Sequence, residues 1–365
     1  MKLIKNMKKT TKNNLITYAG IILVFAVIQI LVNAGAVSNL IQGLLVPICV
    51  YSIVAVGLNL CVGYLGELSL GHAGFMCVGA FAGAISTKLL ADVIPSKILL
   101  LIIALIIGTV IAAVFGFLVG IPVLRLKGDY LAIVTLAFGQ IIINVINVLY
   151  VAKDDSGFHF ALTDGSKIAA NAENGMWIIN GAKGVNKIPS LSTFAIGVIV
   201  LLICLIVVNH LVDSRSGRAI MAIRDNRIAA ESVGINITKY KMLAFTISAA
   251  IAGAGGVLYA HNLSTLTATT NNFGYNMSIM ILVYVVLGGM GSFRGSIIAT
   301  IVLYMLPELL RKLSPGLVEY RMLFYAIILI ALMLFNWAPG MITLRQRIVA
   351  KLSKFGKNAK KGKVE

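Results

Sequence analysis

The side chains able to perform proton transfer, metal binding or nucleophilic attack are few in this sequence and lie far apart. The four histidines are isolated, and no Ser/His/Asp, Cys/His or paired-carboxylate arrangement stands out. No Walker A sequence is present to cradle a nucleotide phosphate. The sequence therefore predicts no catalytic residue, no metal site and no cofactor of its own. Four cysteines inside apolar runs, without paired spacing, are predicted to be buried thiols: Cys49, Cys61, Cys77 and Cys204.

Polar residues interrupt one glycine-rich apolar stretch, residues 57–83. An ionisable residue at membrane depth is a functional candidate, and a high glycine content permits close helix approach or a broken helix. For Glu67 a position in a turn at the inner membrane surface is favoured. The role of Ser69 and His72 is open: they line a pathway or they pack helices together. We predict that the stretch contributes gating or pathway residues: Asn59, Glu67, Ser69, His72 and Gly74.

A second glycine-rich segment, residues 287–295, reads LGGMGSFRG and separates two short apolar runs. Its spacing is not that of a dinucleotide-binding turn, and no strand precedes it. We predict an inner turn that belongs to the same gate, with Gly288, Gly289 and Gly291 as its residues.

The longest charged segment inside the chain, residues 213–241, also lies between two apolar runs. Ser216 is a plausible N-cap, small and apolar residues recur at helical spacing as far as Val233, and Gly234 favours a helix end. A second short element, 236–241, is expected after the glycine. The mostly alanine face lacks the Trp, Phe or Leu that would anchor a helix in lipid headgroups, so docking on a partner protein is favoured over resting on lipid.

The composition indicates the class of protein. Of 365 residues, 59% are hydrophobic and 12% are charged, and the mean hydropathy is +0.95. Soluble domains contain about 25% charged residues, so this is expected to be a polytopic membrane protein. The net charge of +18 would suggest nucleic acid in a soluble chain, but here the basic residues flank apolar runs, as they do on the cytoplasmic side of membrane proteins.

Apolar runs long enough to cross a bilayer predict an all-α bundle of about ten transmembrane helices in a single permease domain, 1–365. A model with eight spans, in which 275–310 forms a re-entrant hairpin, has the same orientation at both ends. The first run has no small-residue cleavage site and is interpreted as a span. The predicted spans are 17–35, 40–62, 69–91, 98–123, 130–151, 192–212, 241–261, 275–288, 296–310 and 322–343.

The basic residues orient this arrangement. A topology with both termini in the cytoplasm places 22 of the 31 Lys and Arg residues inside. Basic arms, 1–16 and 344–365, then lie in the cytoplasm together with segment 213–241. The polar loop 152–191 lies outside, where a plain connector and a docking or gating element are equally favoured.

Four motifs in this order resemble the permease subunits of ABC importers for branched-chain amino acids, in particular the M-type subunit of the leucine/isoleucine/valine system. The similarity covers residues 40–310, and a weaker match lies at 180–189. Glu67 stands where the family often has Gln, and Gln140 where it often has Glu. The four motifs are GLNLCVGYLGELSLGHAGF (57–75), LRLKGDYLAIVTLAFGQ (124–140), SGRAIMAIRDNRIAAESVGINITKYKMLAF (216–245) and VLGGMGSFRG (286–295).

The resemblance implies the partners and the role of the charged segment. It implies a second permease subunit, two cytoplasmic ATP-binding subunits and an extracytoplasmic binding protein in a bacterial cytoplasmic membrane, with lipid but no nucleic acid bound. It also implies that 216–241 couples the permease to the ATPase. The residues carried over for coupling are Arg218, Arg224, Asp225, Ala230, Glu231 and Gly234.

The expected function is transport of branched-chain amino acids, driven by ATP that a partner hydrolyses. Importers of other small solutes, such as urea, short amides or sugars, are similar and stay open. A stand-alone secondary transporter or channel is disfavoured, because the predicted spans hold almost no charged residues for ion coupling. A membrane scaffold is disfavoured by the glycine-broken spans.

Overall fold

The computed structural model describes residues 9–154 apart from positions 36, 92 and 127, residues 157–162, residues 176–313, and positions 320, 323, 326, 327 and 330. The chain divides into two compact units, Met1–Val302 and Leu303–Glu365. In the second unit, Arg311 Nη2 lies 2.8 Å from Glu308 Oε2. The packing described below belongs to the first unit. The predicted span 322–343 and the basic tail lie almost wholly outside the described residues.

Helices account for most of the described chain. A six-residue π-helix, Leu60–Leu65, directly extends the α-helix Asn39–Asn59 and ends at Gly66 in the left-handed conformation, with φ +78°. The α-helices are α1 (Lys9–Asn33), α2 (Asn39–Asn59), α3 (His72–Leu90), α4 (Lys97–Val123), α5 (Asp129–Val148), α6 (Phe194–Asp213), α7 (Arg215–Asp225), α8 (Arg227–Ser232), α9 (Ile237–Ala260), α10 (Thr270–Phe273), α11 (Tyr275–Gly288) and α12 (Phe293–Leu313).

Six helices in the described part of the chain are long and apolar enough to cross a membrane, and they coincide with the second to seventh predicted spans. The first predicted span corresponds to a shorter apolar helix, Thr17–Asn33. The eighth and ninth are occupied by α11, which has 14 residues, and by α12. A mostly helical, polytopic membrane protein is thus confirmed, whereas the number of ten spans is not established. The six are Asn39–Leu65, His72–Leu90, Lys97–Val123, Tyr130–Val148, Phe194–Asp213 and Ile237–Ala260.

The core is built around α9, which packs against α2, α3 and α4. Small residues let these backbones approach closely, as is typical of helix pairs in membranes. A Cβ on Gly256 would lie 2.0 Å from the Met76 carbonyl oxygen on α3, and one on Gly79 would lie 2.3 Å from the Gly253 carbonyl oxygen. Gly83 meets Val257 one turn further along. The close helix approach that the glycine content of 57–83 permits is therefore found at Gly79 and Gly83.

The long loop between α5 and α6 forms a small antiparallel sheet of order β2–β1–β3. The sheet lies at the start of α6, whereas α7 and α8 follow its other end. The strands are β1 (Leu149–Asp154), β2 (Gly157–Leu162) and β3 (Met176–Asn180). On β2, alternate residues Phe158, Phe160 and Leu162 are exposed on one face. A two-residue pairing of β4 (Val185–Asn186) with β5 (Thr265–Leu266) ties this loop to the segment after α9. The loop is thus an ordered element on both sides of the undescribed residues 163–175.

His261, directly after α9, fastens the same end of the bundle. Its Nδ1 lies 2.7 Å from the Val257 carbonyl oxygen, and its Nε2 lies 2.7 Å from Thr87 Oγ1 on α3. Because a carbonyl oxygen only accepts, Nδ1 carries the proton and Nε2 accepts from the Thr87 hydroxyl. Burial lowers the pKa of His261 below its usual range, although the bond to Val257 opposes this shift.

Candidate docking and gating site

The charged segment forms two helices with a break between them. Ser214, and not Ser216 as predicted, caps α7, because its side chain accepts a hydrogen bond from the Gly217 amide at 3.2 Å. The prediction of one continuous helix up to Gly234 is also wrong, because the helix is interrupted at Asn226. The backbone of Asn226 is extended (φ −155°, ψ 106°), and its side chain caps α8 by accepting a hydrogen bond from the Ala229 amide. Gly234 ends α8 in the left-handed region with φ +83°, as predicted.

The alanine-rich face of this segment packs on the chain itself. Ala230 is buried in a small apolar cluster with Ile223 and with Ile237 of α9. Ala219 and Ile220 are also buried. Ala219, Ile223 and Ala230 of the predicted face therefore supply the contact between the segment and the bundle, whereas Ala229 and Val233 of the same face are exposed. Docking of the segment on a partner protein remains a prediction.

The exposed apolar side chains of the segment lie on α8 and directly after it. Ile228 and Val233 are 80% and 75% exposed, among the most exposed large apolar side chains of the described chain. The charged residues around them, Arg227 and Glu231, are exposed as well. We call this set, with Asp225, the docking face. It presents two aliphatic side chains within a charged surrounding.

Arg224 connects this segment to the end of α2. Its Nη1 donates to the Gly63 carbonyl oxygen of the π-helix at 2.9 Å, while Nε and Nη2 donate to Asp225 Oδ1 at 3.0 and 2.8 Å. A Cβ on Gly66 would lie 2.6 Å from Arg224 Cγ, so the arginine stem lies directly over this glycine. Arg218 instead makes a local bond, in which Nη1 donates to the Asp213 carbonyl oxygen at 3.1 Å.

Asn59 links the π-helix to the second glycine-rich segment. Its side chain is fully buried. Oδ1 accepts from the Gly291 amide, and Nδ2 donates to Ser296 Oγ, each at 2.8 Å. Both ends of the carboxamide are thus used in joining α2 to the turn before α12. The two glycine-rich motifs, 228 residues apart between Gly63 and Gly291, are neighbours at this point.

The turn itself depends on glycine. Gly289 and Gly291 have φ of +93° and +82°, a region in which other residues are strained. Gly288 contacts Gly295 across the turn, where a Cβ would lie 2.3 Å from the Gly295 carbonyl carbon. The structure thus brings the three predicted glycines into one tight turn. Their predicted gating role remains a prediction.

Glu67 lies in the turn between the π-helix and α3, the location favoured by the sequence. Its Oε1 is paired with Lys241 Nζ in the second turn of α9. The Glu67 and Lys241 side chains are only 15% and 6% exposed. This near-buried ion pair joins the turn to the helix that follows the docking segment, and Lys241 was not among the predicted site residues.

Ser69 and His72 belong to a buried series of hydrogen bonds that connects α3 with α9 and α2. The Ser248 hydroxyl donates to the Gly57 carbonyl oxygen, so the Ser248 oxygen accepts from His72 Nε2, 2.6 Å away. His72 Nδ1 then accepts from Ser69 Oγ at 3.2 Å. Since neither predicted residue is exposed, the structure favours helix packing over a pathway lining for both.

Gly74 packs α3 against α5. A Cβ there would lie 2.7 Å from Gly139 Cα. One turn before, the Leu70 amide donates to Thr135 Oγ1 of α5 at 3.0 Å. The second motif, 124–140, therefore meets the first one through Thr135, a contact that the sequence did not reveal.

A cavity of about 570 Å³ lies between α3, α4 and α5. Its lining is apolar except for Ser86, whose hydroxyl donates to the Gly83 carbonyl oxygen at 2.8 Å. The ammonium and carboxylate of a free amino acid would find no partners there. The cavity is thus not suited to a zwitterion.

Comparison with known proteins decides the class of transporter. Residues 40–333 match the family described as branched-chain amino acid transport system / permease component. The chain belongs to this family. No solved structure matches it.

The most similar curated relatives considered are two permeases named LivM and one named LivH, all of high-affinity branched-chain amino acid transport systems. The chain is 35% identical to LivM of Escherichia coli and 34% identical to LivM of Salmonella typhimurium, each over 298 residues, 80% of this chain and 67% of the relative. It is 24% identical to LivH of Salmonella typhimurium over 257 residues, 69% of this chain and 79% of LivH. The higher identity to LivM assigns the chain to the M type.

Proposed function

We propose that the chain is the M-type permease subunit of an ATP-driven importer that moves branched-chain amino acids across the bacterial cytoplasmic membrane. The observation that carries this substrate class is the 35% identity to LivM over 80% of the chain. Because the sequence has no Walker A motif, ATP is bound and hydrolysed by a partner subunit. The chain contributes the membrane route and no cofactor.

The assembly we propose has four kinds of subunit. A second permease, of the LivH type, pairs with this chain, two ATP-binding subunits lie in the cytoplasm, and a binding protein delivers the amino acid from outside. Both termini and the docking face lie in the cytoplasm, supported by the placement of 22 of the 31 Lys and Arg residues on that side. The small sheet then lies outside.

The docking face is the contact with the ATP-binding subunit. Two exposed aliphatic side chains, Ile228 and Val233, within charged residues resemble a protein interface with an apolar centre and a polar rim. A helix that rests on lipid needs a broad apolar face. Here Ile223 and Ala230 of the segment are already buried against Ile237.

Transport follows from movement of this segment. Closure of the ATP-binding subunits displaces α7 and α8, and the spans around 57–83 and the turn around 288–295 reopen on the other side. Contacts that support this route are Arg224 to Gly63, and Lys241 to Glu67. The helices and the turn that move are held together by Asn59, by Gly74 and by the glycines of the turn.

Co-purification tests the docking proposal. Ile228→Glu places a carboxylate at the centre of the docking face, and Phe160→Glu places one at a comparably exposed apolar position on β2. We expect Ile228→Glu to lower recovery of the ATP-binding subunit with the tagged chain at least tenfold, as for a central interface residue. Phe160→Glu should retain it. Equal recovery with both variants would contradict docking at this face.

Uptake tests the substrate and the energy source. The four-component assembly in proteoliposomes should accumulate labelled leucine only with ATP inside, and isoleucine or valine should compete. Accumulation without ATP, by the chain alone, would favour a secondary transporter.

A further inference from the structure

Gly291 is held by two side chains, one from the last residue of α2 and one from the π-helix that follows it. Its amide donates to Asn59 Oδ1 at 2.8 Å, and its carbonyl oxygen accepts from the Tyr64 hydroxyl at 2.7 Å. Both main-chain groups of one turn residue are therefore satisfied by another element.

The surrounding contacts leave little free space. The Tyr64 ring stacks on Phe293 with centroids 4.8 Å apart and planes at 19°. A Cβ on Gly63 would lie 2.2 Å from the Gly291 nitrogen, so the two backbones touch. The Asn59 side chain also reaches Ser296 on the first turn of α12. The turn and the start of α12 are thus attached to the π-helix by several groups.

The same π-helix receives Arg224 from the docking segment. Arg224 Nη1 donates to the Gly63 carbonyl oxygen, one residue before Tyr64. An unbroken series of contacts then runs from Arg224 through Gly63 to Gly291. A π-helix is a less regular part of a span and often coincides with a functional site.

We propose that Tyr64 and Asn59 are positioning residues that fasten the turn 289–292 to the π-helix, so that a displacement delivered by Arg224 moves the turn with it. This inference rests on the proposed function, because the displacement originates at the docking face. The two residues act through Gly291 and do not contact the transported solute. Neither Tyr64 nor Ser296 was singled out by the sequence.

Tyr64→Phe is the sharpest test, since it removes one hydroxyl and keeps the stack on Phe293. The matched control is Tyr18→Phe, which removes a hydroxyl that accepts from Asn209 Nδ2 at 2.9 Å, between α1 and α6. Asn59→Ala is less informative, because it leaves a buried amide unpaired and endangers folding.

The first measurement is hydrogen–deuterium exchange of the peptide 286–295 in the assembled transporter. Loss of one hydrogen bond corresponds to about fivefold faster exchange in Tyr64→Phe. A peptide from α9, such as 249–258, and all peptides around the turn in Tyr18→Phe should exchange as in the wild type. Unchanged exchange of 286–295 in Tyr64→Phe would refute the fastening.

The second measurement is the amount of leucine taken up per ATP hydrolysed. With Tyr64→Phe we expect this ratio to fall about fivefold, while co-purification of the ATP-binding subunit and its hydrolysis rate stay at wild-type values. If Tyr64 only stabilised the fold, the rates of leucine uptake and of ATP hydrolysis would fall together. A wild-type ratio of leucine taken up to ATP hydrolysed would overturn the positioning role. If the wild-type chain does not retain an ATP-binding subunit, the proposed function fails, and the exchange measurement on the chain alone still decides the fastening.

Discussion

Replacement of Lys241 by Met should destabilise the protein strongly, because it removes one partner of a near-buried ion pair. Lys241 is 6% exposed at the side chain and Glu67 15%. With Met at position 241, the Glu67 carboxylate keeps its desolvation penalty and loses its cation. Breaking such a pair from one side costs about 3–5 kcal/mol. The partial exposure of Glu67 places the expected cost near the lower end, about 3 kcal/mol.

The matched variant is Lys241→Met combined with Glu67→Gln. With both charges gone, neither partner is left buried and unpaired, and replacement of a buried pair by neutral residues is often neutral or stabilising. The double variant should therefore regain most of the stability lost in the single one. Glu67→Gln alone should also destabilise, because it leaves the ammonium of Lys241 buried.

The assay can use the thiols of the chain itself. Cys49, Cys61, Cys77 and Cys204 are all buried, so a fluorogenic maleimide reports their exposure on heating. At about 2–4 °C per kcal/mol, Lys241→Met should melt about 6–12 °C below the wild type. A single variant as stable as the wild type, or a double variant no more stable than the single, would refute the reasoning.

Three further predictions use the same kind of geometry. Gly234→Val, at φ +83°, and Glu231→Lys on the docking face should reduce uptake while membrane insertion stays normal, so normal uptake at normal expression in both would contradict the coupling role. Gly256→Ala should destabilise by about 1–3 kcal/mol, since its Cβ would lie 2.0 Å from a backbone oxygen, whereas Gly43→Ala, with open space around it, should raise the melting temperature or leave it unchanged. His261 is buried and its pKa is lowered, so its contribution to the stability of the fold is full above the unfolded pKa of about 6.5 and is lost as pH falls below that value. We therefore expect the melting temperature of the wild type to fall between pH 7 and 5, and that of His261→Gln to fall less.

The residues that the sequence missed share one property. Tyr64, Lys241, Ser248 and Ser296 become important through partners that are far away in the chain, at separations of 174 to 237 residues. Polar residues such as Ser248 and Ser296 inside apolar runs were a visible signal. Their partners were not, because periodicity describes only neighbours on one helix.

The small-residue face of the charged segment shows the limit in another way. A face rich in alanine predicts close packing, and it does pack closely, but on Ile237 of the same chain. Periodicity identifies which side of a helix is apolar. It does not say which surface will cover that side, since burial depends on elements that only the folded chain brings together.

The sequence by itself determined the class of protein, the positions of most spans, the four motifs and the glycines that end or bend elements, because hydrophobic length and backbone freedom are local properties. Only the tertiary structure decided that α7 and α8 are separate helices, that Ile228 and Val233 are exposed, and that Gly63 and Gly291 touch. These depend on close packing and on pairing of buried polar groups. Both arise when distant segments exclude water from one another.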